Sequence, residues 1–311
     1  MTGRFYNANG DAWQIEQFIS FDICHGLGEP CDYYEVSFPY DSSMLNKLSN
    51  AYRFVAVHGD NDVFRGVVDE YTISISTENG SVVTVSGRSM AALLMDNEAE
   101  AVSYGTLTLD TVIANHVRPW GIGTIRKKNM PPLYSFTVES GDSQWSILKR
   151  YCRYSASVQP RFSKEGILIL TDESGSYLSL TDDDISLGIK YRDTRYGCVS
   201  EVLVKNRVTG ANYTVENQKL KARGGSARRV INVPRTSGYD SMRYTGEYQI
   251  TEAERGKRFA RIDVPTLFAA FPADRITLHS SALGLDGTFT VSETHSYANE
   301  NGYGTEICLE V

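Results

Sequence analysis

The chain contains no apolar run near the ~18 residues a bilayer-spanning helix needs, which argues against a transmembrane protein. Its opening stretch, MTGRFYNANGDAW, is polar and lacks the apolar segment of a secretory signal, so cytoplasmic synthesis and folding are expected. Cysteine is scarce: Cys24, Cys31, Cys152, Cys198 and Cys308 are odd in number and form no CxxC pair. That pattern excludes a disulfide framework or zinc ribbon. Cys24, His25 and Cys31 come nearest to a ligand cluster, but no second half follows, and they read as small half-buried groups. There is no GxSxG, no HExxH and no phosphate-binding glycine loop. His25, His58, His116, His279 and His295 are isolated, and His116 lies on an apolar helical stripe as a packed residue would. No catalytic, cofactor-binding or metal-binding residue is therefore assigned.

What is present is a chain of 311 residues, enough for two or three domains. With 22% charged and 41% hydrophobic residues it can build substantial cores, which excludes general disorder. The net charge of −7 argues against general nucleic-acid binding, yet the charge is unevenly placed. Residues 205–258 hold twelve Lys or Arg against five Asp or Glu, a balance of +7 that leaves −14 elsewhere. Such polarity suits copies or partners that meet charge to charge, and solvated loops rich in Arg explain it equally. Arg223, Arg228 and Arg229 are the close cluster within it. Stacking aromatics are sparse there (Tyr213, Tyr239, Tyr244, Tyr248), so a charged interface is favoured over contact with nucleic acid.

From Ile15 to Ser86 the signals are β-type. Tyr71, Ile73 and Ile75 alternate with Thr72, Ser74 and Ser76, Glu78-Asn79-Gly80 supplies a turn, and Val82 to Val85 return. Short strands without intervening helices predict a barrel or sandwich. Helical signals follow: Ser89 as cap of a short helix with Met90, Leu93 and Leu94, and Thr108 as cap of another that Pro119 stops. Lys127 to Leu133 reads as a linker. Next come a strand at Phe136-Thr137-Val138, a helix from Asp142 to about Tyr154, and a hairpin at Ser163-Lys164-Glu165-Gly166. From about Gly197 the β signal returns, and Thr251-Glu252-Ala253-Glu254 reads as the capping box of a short helix.

Two segments resemble one another. Residues 53–87 and 275–311 each begin with Arg and a short apolar strand ending in His (His58, His279). Each continues through a polar turn into a strand ending in Glu (Glu70, Glu293), then reaches Glu-Asn-Gly before a final strand. Order, spacing and turn type agree together, which favours duplication over convergence. Two similar barrels per chain would let a three-fold ring present six quasi-equivalent units and stack on a six-fold tube.

FRGVVDE with alternating Ser and Ile, then VTVSGRSMAALLMDNEAE and NHVRPWGI, resembles the hub proteins of phage baseplates, the late control gene D family. That family is related to the β-barrel part of type VI secretion spikes and of phage-tail-like bacteriocins. FTVESGDSQWSILKRYCRYS resembles its middle domain, and LDGTFTVSE with NENGYGTEICLEV its second barrel. The resemblance covers nearly the whole chain. It implies a mainly β fold: a first barrel at 1–87, a helical connection at 88–130, a middle α+β domain at 131–194 and a second barrel at 195–311. It further implies a non-enzymatic homotrimer that joins the tail tube to the central spike or tip, alongside tape-measure and baseplate wedge proteins. Assembly would take place in the bacterial host cytoplasm.

Two other readings use residues that are present. Ser140-Gly141-Asp142 and Trp145-Ser146-Ile147 resemble the opening of a LysM module, with Asp142 and Trp145 as candidate peptidoglycan-binding residues. A LysM would continue with a second helix where this chain has a hairpin. Plentiful carboxylates leave room for a cell-wall hydrolase, but the run Asp182-Asp183-Asp184 reads as a solvated turn.

Overall fold

The alternation that marks the first ninety residues becomes two facing sheets. The computed structural model describes residues 1–27, 31–78, 80–185, 188–233 and 238–310. Strands β1 (Thr2–Tyr6), β2 (Ala12–Ile15), β3 (Ser20–Gly26) and β4 (Tyr33–Pro39) are followed by helix α1 (Leu45–Ser49). Then come β5 (Arg53–His58), β6 (Asn61–Val67), β7 (Glu70–Ser76) and β8 (Gly80–Arg88). One sheet has the order β2-β1-β5-β6, and the other contains β3-β4-β8-β7. Along β4, every second residue (Tyr34, Val36, Phe38) points inward and is fully buried. These meet Phe5, Phe54 and Phe64, and Tyr34 stacks on Phe54 with ring centroids 4.2 Å apart. Each such burial is worth about 1.5–3 kcal/mol, so this aromatic cluster dominates the unit's core. The expected hairpin is the β7–β8 pair, with Ser76 opposite Gly80; Asn79 of its turn lies outside the described residues.

Two glycines let the sheets cross where β6 gives way to β7. A Cβ on Gly66 would lie 2.0 Å from the Arg88 carbonyl oxygen, and one on Gly87 2.0 Å from that of Val67. Only glycine allows this approach. Beside the crossing, Arg88 donates from Nε to Asp69 Oδ2 at 2.7 Å and from Nη2 to Asp96 Oδ2 at 2.7 Å. Ser89 differs from its expected role as a cap. Its Oγ accepts the Asp32 N–H at 3.2 Å, while the following helix, α2 (Ala92–Met95), starts without a side-chain cap.

The middle of the chain builds one core rather than a connection plus a domain. Its elements are α2, β9 (Val102–Leu107), α3 (Leu109–Val112), β10 (Ile125–Lys127), β11 (Leu133–Val138), α4 (Gln144–Ala156), β12 (Arg161–Phe162) and β13 (Leu168–Leu170). Leu94, Val112, Val117, Val138, Leu148 and Leu170 share a single buried cluster. Thr108 caps α3 as expected, its Oγ1 accepting the Thr111 N–H at 3.2 Å. Helix α4 is capped by Ser143, which accepts the Ser146 N–H at 3.1 Å. The predicted hairpin pairs β12 with β13.

The second half departs from the expected boundary at residue 195. β14 (Tyr177–Thr181) and β15 (Gly188–Asp193) already belong to the larger sheet, pairing with later strands. A separate layer follows: β16 (Glu201–Lys205), β17 (Asn212–Glu216), α5 (Gln218–Ala222), β18 (Arg228–Asn232) and α6 (Tyr239–Glu254). Its strands form their own sheet, β17-β16-β18. Thr251 to Glu254, expected to open a short helix, is instead the last turn of α6. Gly246 lets that helix press on the sheet, since a Cβ there would lie 2.4 Å from Val215 Cγ2. The larger sheet resumes with β19 (Arg258–Val264), β20 (Arg275–Ser280), β21 (Leu285–Asn299) and β22 (Gly302–Glu310). The fold is mainly β with α+β insertions, as expected. No helix among the described residues is long and apolar enough to cross a membrane.

Candidate functional site

The larger sheet carries one continuous path, β15-β19-β22-β21-β3-β4-β8-β7, through both β units. The pairings show the internal repeat in three dimensions. In the first unit Glu70 of β7 faces Ser86, Gly87 faces Tyr34, and Tyr34 faces Ile23. In the second Glu293 of β21 faces Cys308, Leu309 faces Ala260, and Ala260 faces Tyr191. β7, β8, β4 and β3 thus correspond to β21, β22, β19 and β15. The single strand β21 does the work of both β6 and β7. Its first half pairs with β20, and its run along β22, which begins at Thr290, shifts register between Val291 and Glu293.

Inside the chain the units join at β3 and β21, where Thr294 faces His25, Ser296 faces Ile23 and Ala298 faces Phe21. The counterparts of these two strands are β15 and β7, which are the open ends of the path. An open strand edge is a template for another chain. Transposing the internal register sets Ile73 opposite Tyr191 and Ile75 opposite Ile189. Both edges expose apolar groups at these positions: Ile75 is 73% accessible and Tyr191 39%. On the other face the transposed register sets Thr72 against Arg192 and Ser74 against Lys190, beside the exposed Glu70.

The residues singled out in the sequence are mostly committed to the fold. Arg223 donates to Asp193 at 2.6 Å, Arg228 pairs with Glu201 at 2.6 Å, and Arg229 donates to Gln249 at 2.8 Å. The structure does not gather the three into one patch with free guanidinium groups. Trp145 is 7% accessible and stacks on Phe162 at 6.2 Å, while Asp142 accepts from the Glu139 N–H and Arg150. Asp182 accepts from Ser281, and Asp184 from the Thr181 N–H and hydroxyl.

His25 is buried, with Nδ1 3.3 Å from Asp32 and Nε2 2.9 Å from the Val63 carbonyl oxygen, which ties β3 to β6. Burial pushes the Cys24 and Cys31 thiols up to about 12, so neither supplies a thiolate. His116 bridges Tyr104 and Gln144 at 2.9 and 2.8 Å inside the middle unit. Among the described residues no three His, Cys, Asp or Glu converge to hold a metal. The open edges were not singled out in the sequence. The signal that could have found them is the alternation of Tyr71, Ile73 and Ile75 combined with the repeat.

No family model and no curated protein matches the sequence. Solved structures match it in fold. The 43 kDa tail protein of prophage MuSo2 from Shewanella oneidensis superposes with a TM-score of 0.79 at 16% identity, over 99% of this chain and 98% of that one. The tail protein of Neisseria meningitidis MC58 gives 0.75 at 16% identity, over 99% and 95%. This is the fold of phage tail proteins. The same tail-protein fold relates the chain to a component of the Escherichia coli type VI secretion system, itself similar in structure to the T4 bacteriophage tail proteins gp27 and gp5. That match has a TM-score of 0.58 at 10% identity, over 94% of this chain and 73% of that one. The hub resemblance read from the sequence motifs therefore holds at the level of the fold, across almost the entire chain.

Proposed function

We propose that this chain is a structural baseplate hub of a phage tail or related injection particle, in which three copies close into a ring between the tail tube and the central spike. The observation that carries this reading is the matched pair of open strands at the two ends of the sheet path. Inside one chain β3 and β21 already make the contact that β15 and β7 would repeat between copies. A heterologous contact that repeats by a rotation of one third of a turn, without translation, closes into a three-membered ring, whereas any other screw gives an open filament. Three copies would carry six quasi-equivalent β units, which suits seating on a six-fold tube. The role is one of assembly and conduit formation rather than catalysis. Tape-measure and wedge proteins are further partners, and assembly takes place in the host cytoplasm. Peptidoglycan binding through Trp145 is disfavoured, because the indole is packed against Phe162 inside the middle unit.

Negative-stain imaging of the purified chain at high concentration tests the proposal. It should show rings with an axial channel and three-fold or pseudo-six-fold views. Uniform single globules, or filaments that never close, would contradict it.

A further inference from the structure

Between the middle unit, the α/β layer and the second β unit lies a cleft of about 590 Å³. Eight Lys or Arg residues line it, among them Arg161, Arg195, Lys219 and Arg275 from separate parts of the chain. Arg195 and Lys219 make no ion pair or side-chain hydrogen bond among the described residues. Deeper in, two polar atoms are stranded. Arg161 donates from Nη2 to the Glu173 carbonyl at 3.3 Å, but its buried Nη1 has no hydrogen-bond partner among the described residues. Thr171, only 8% accessible, has a buried Oγ1 that is likewise without a partner there. A buried polar group left unsatisfied costs about 1–3 kcal/mol, and both of these residues line the cleft.

Two donors beside free cations fit an oxyanion, and a carboxylate accepts from a guanidinium and a hydroxyl together. Burial lowers the pKa of Arg161, with Asp274 opposing the shift and Arg126 adding to it, so an incoming negative charge would relieve a desolvated cation. The rest of the lining separates the possible anions. Asp172, Glu173, Asp193, Glu254 and Glu310 stand among the cations, with Asp193 paired to Arg223, and would oppose a continuous phosphate backbone. A peptide offers backbone N–H groups to those carboxylates and spaces its own acids between neutral residues. Base stacking has little to use, because Tyr248 lines the cleft but lies under Arg153 at 5.3 Å.

We propose that this cleft binds an acidic peptide segment of a partner protein, one side-chain carboxylate of which takes the Arg161 Nη1–H and the Thr171 hydroxyl. The site is built within a single chain and does not depend on ring closure.

Fluorescence anisotropy on the full chain, with a labelled peptide of alternating Glu and Ala, tests this. The Glu peptide should bind and its Gln counterpart should not, with affinity falling as salt rises. Arg195→Glu and Lys219→Glu, both at exposed positions, should each weaken binding by about tenfold. Thr171→Val keeps the side chain's shape and should weaken binding while leaving the melting temperature equal or higher, an outcome that a purely structural threonine would not produce. The proposal is overturned if the Glu peptide fails to bind at about 1 mM, or binds with no response to these variants. It is equally overturned if labelled oligothymidylate binds more tightly with the same variant sensitivity, or if inorganic phosphate displaces the peptide at micromolar concentration.

Discussion

Replacing Gly66 with alanine would place a methyl group 2.0 Å from the Arg88 carbonyl oxygen and 2.8 Å from Phe64 Cε1. Ordinary carbon–oxygen contact is about 3.4 Å or more, so the strands must separate by over an ångström at a point held from both sides. Gly87 faces the Val67 carbonyl oxygen in the reciprocal arrangement, and Arg88 with its two aspartates locks the same joint. Relief by a side-chain rotamer is not available, because the obstructing atom is backbone. The cost of such overpacking is about 1–3 kcal/mol, or a fall of roughly 2–5 °C in melting temperature for a chain of 311 residues. Gly105→Ala is the control: nothing lies within 4 Å of its Cβ, and the change should be neutral or slightly stabilising. Circular dichroism melts of the two variants beside the wild type measure the difference. If Gly66→Ala melts no lower than Gly105→Ala, the crossing of the two sheets is wrongly described.

Three further outcomes are expected. In the proposed trimer, Ile75→Asp would remove an apolar contact worth about 1.5–3 kcal/mol at each of three interfaces, lowering the association constant by at least about a thousandfold. Its melting as a monomer should not change; sedimentation velocity reads the first effect and calorimetry the second. Glu310 has a raised pKa, chiefly from burial with Arg255 opposing, so its charged form is the one the fold disfavours. The penalty exists above the folded pKa and vanishes below the ordinary value of 4.5. Glu310→Gln should therefore raise the melting temperature near pH 8, with the gain disappearing as the pH falls through that value. Trp145→Ala should cost about 3–5 kcal/mol of stability, and wild-type protein should show no specific retention on purified peptidoglycan.

Parts of the structure were legible because their chemistry is local. The Tyr71-to-Val85 hairpin shows strict alternation, and the helix from residue 144 follows a serine cap. The 53–87 and 275–311 repeat rests on order and spacing, which the strand pairings preserve. Other parts were not legible. β14 and β15 bear mostly exposed side chains, so between Tyr177 and Asp193 little beyond the short Leu178–Leu180 alternation and Ile189 marks the second unit's true start. Helix α6 buries Met242, Thr245, Gly246 and Ala253, a face of mainly small residues that hydropathy patterns pass over. The capping-box motif near its end then stood out in isolation. The basic segment was recognised from its charge balance, but the partners of its arginines were not legible. Arg223, Arg228 and Arg229 are neighbours in sequence and separately paired in space. Arg161, Arg195 and the pair Lys219 and Arg223 come from separate parts of the sequence and share one cleft.

The proposed ring would rest on pairing between β7 of one copy and β15 of the next. Light scattering on the purified chain at tens of micromolar, wild type beside Ile75→Asp, measures it directly. Pairing predicts a wild-type particle of three chain masses and a variant of one. A wild-type protein that is strictly monomeric at that concentration, or a trimer that Ile75→Asp leaves intact, would contradict it.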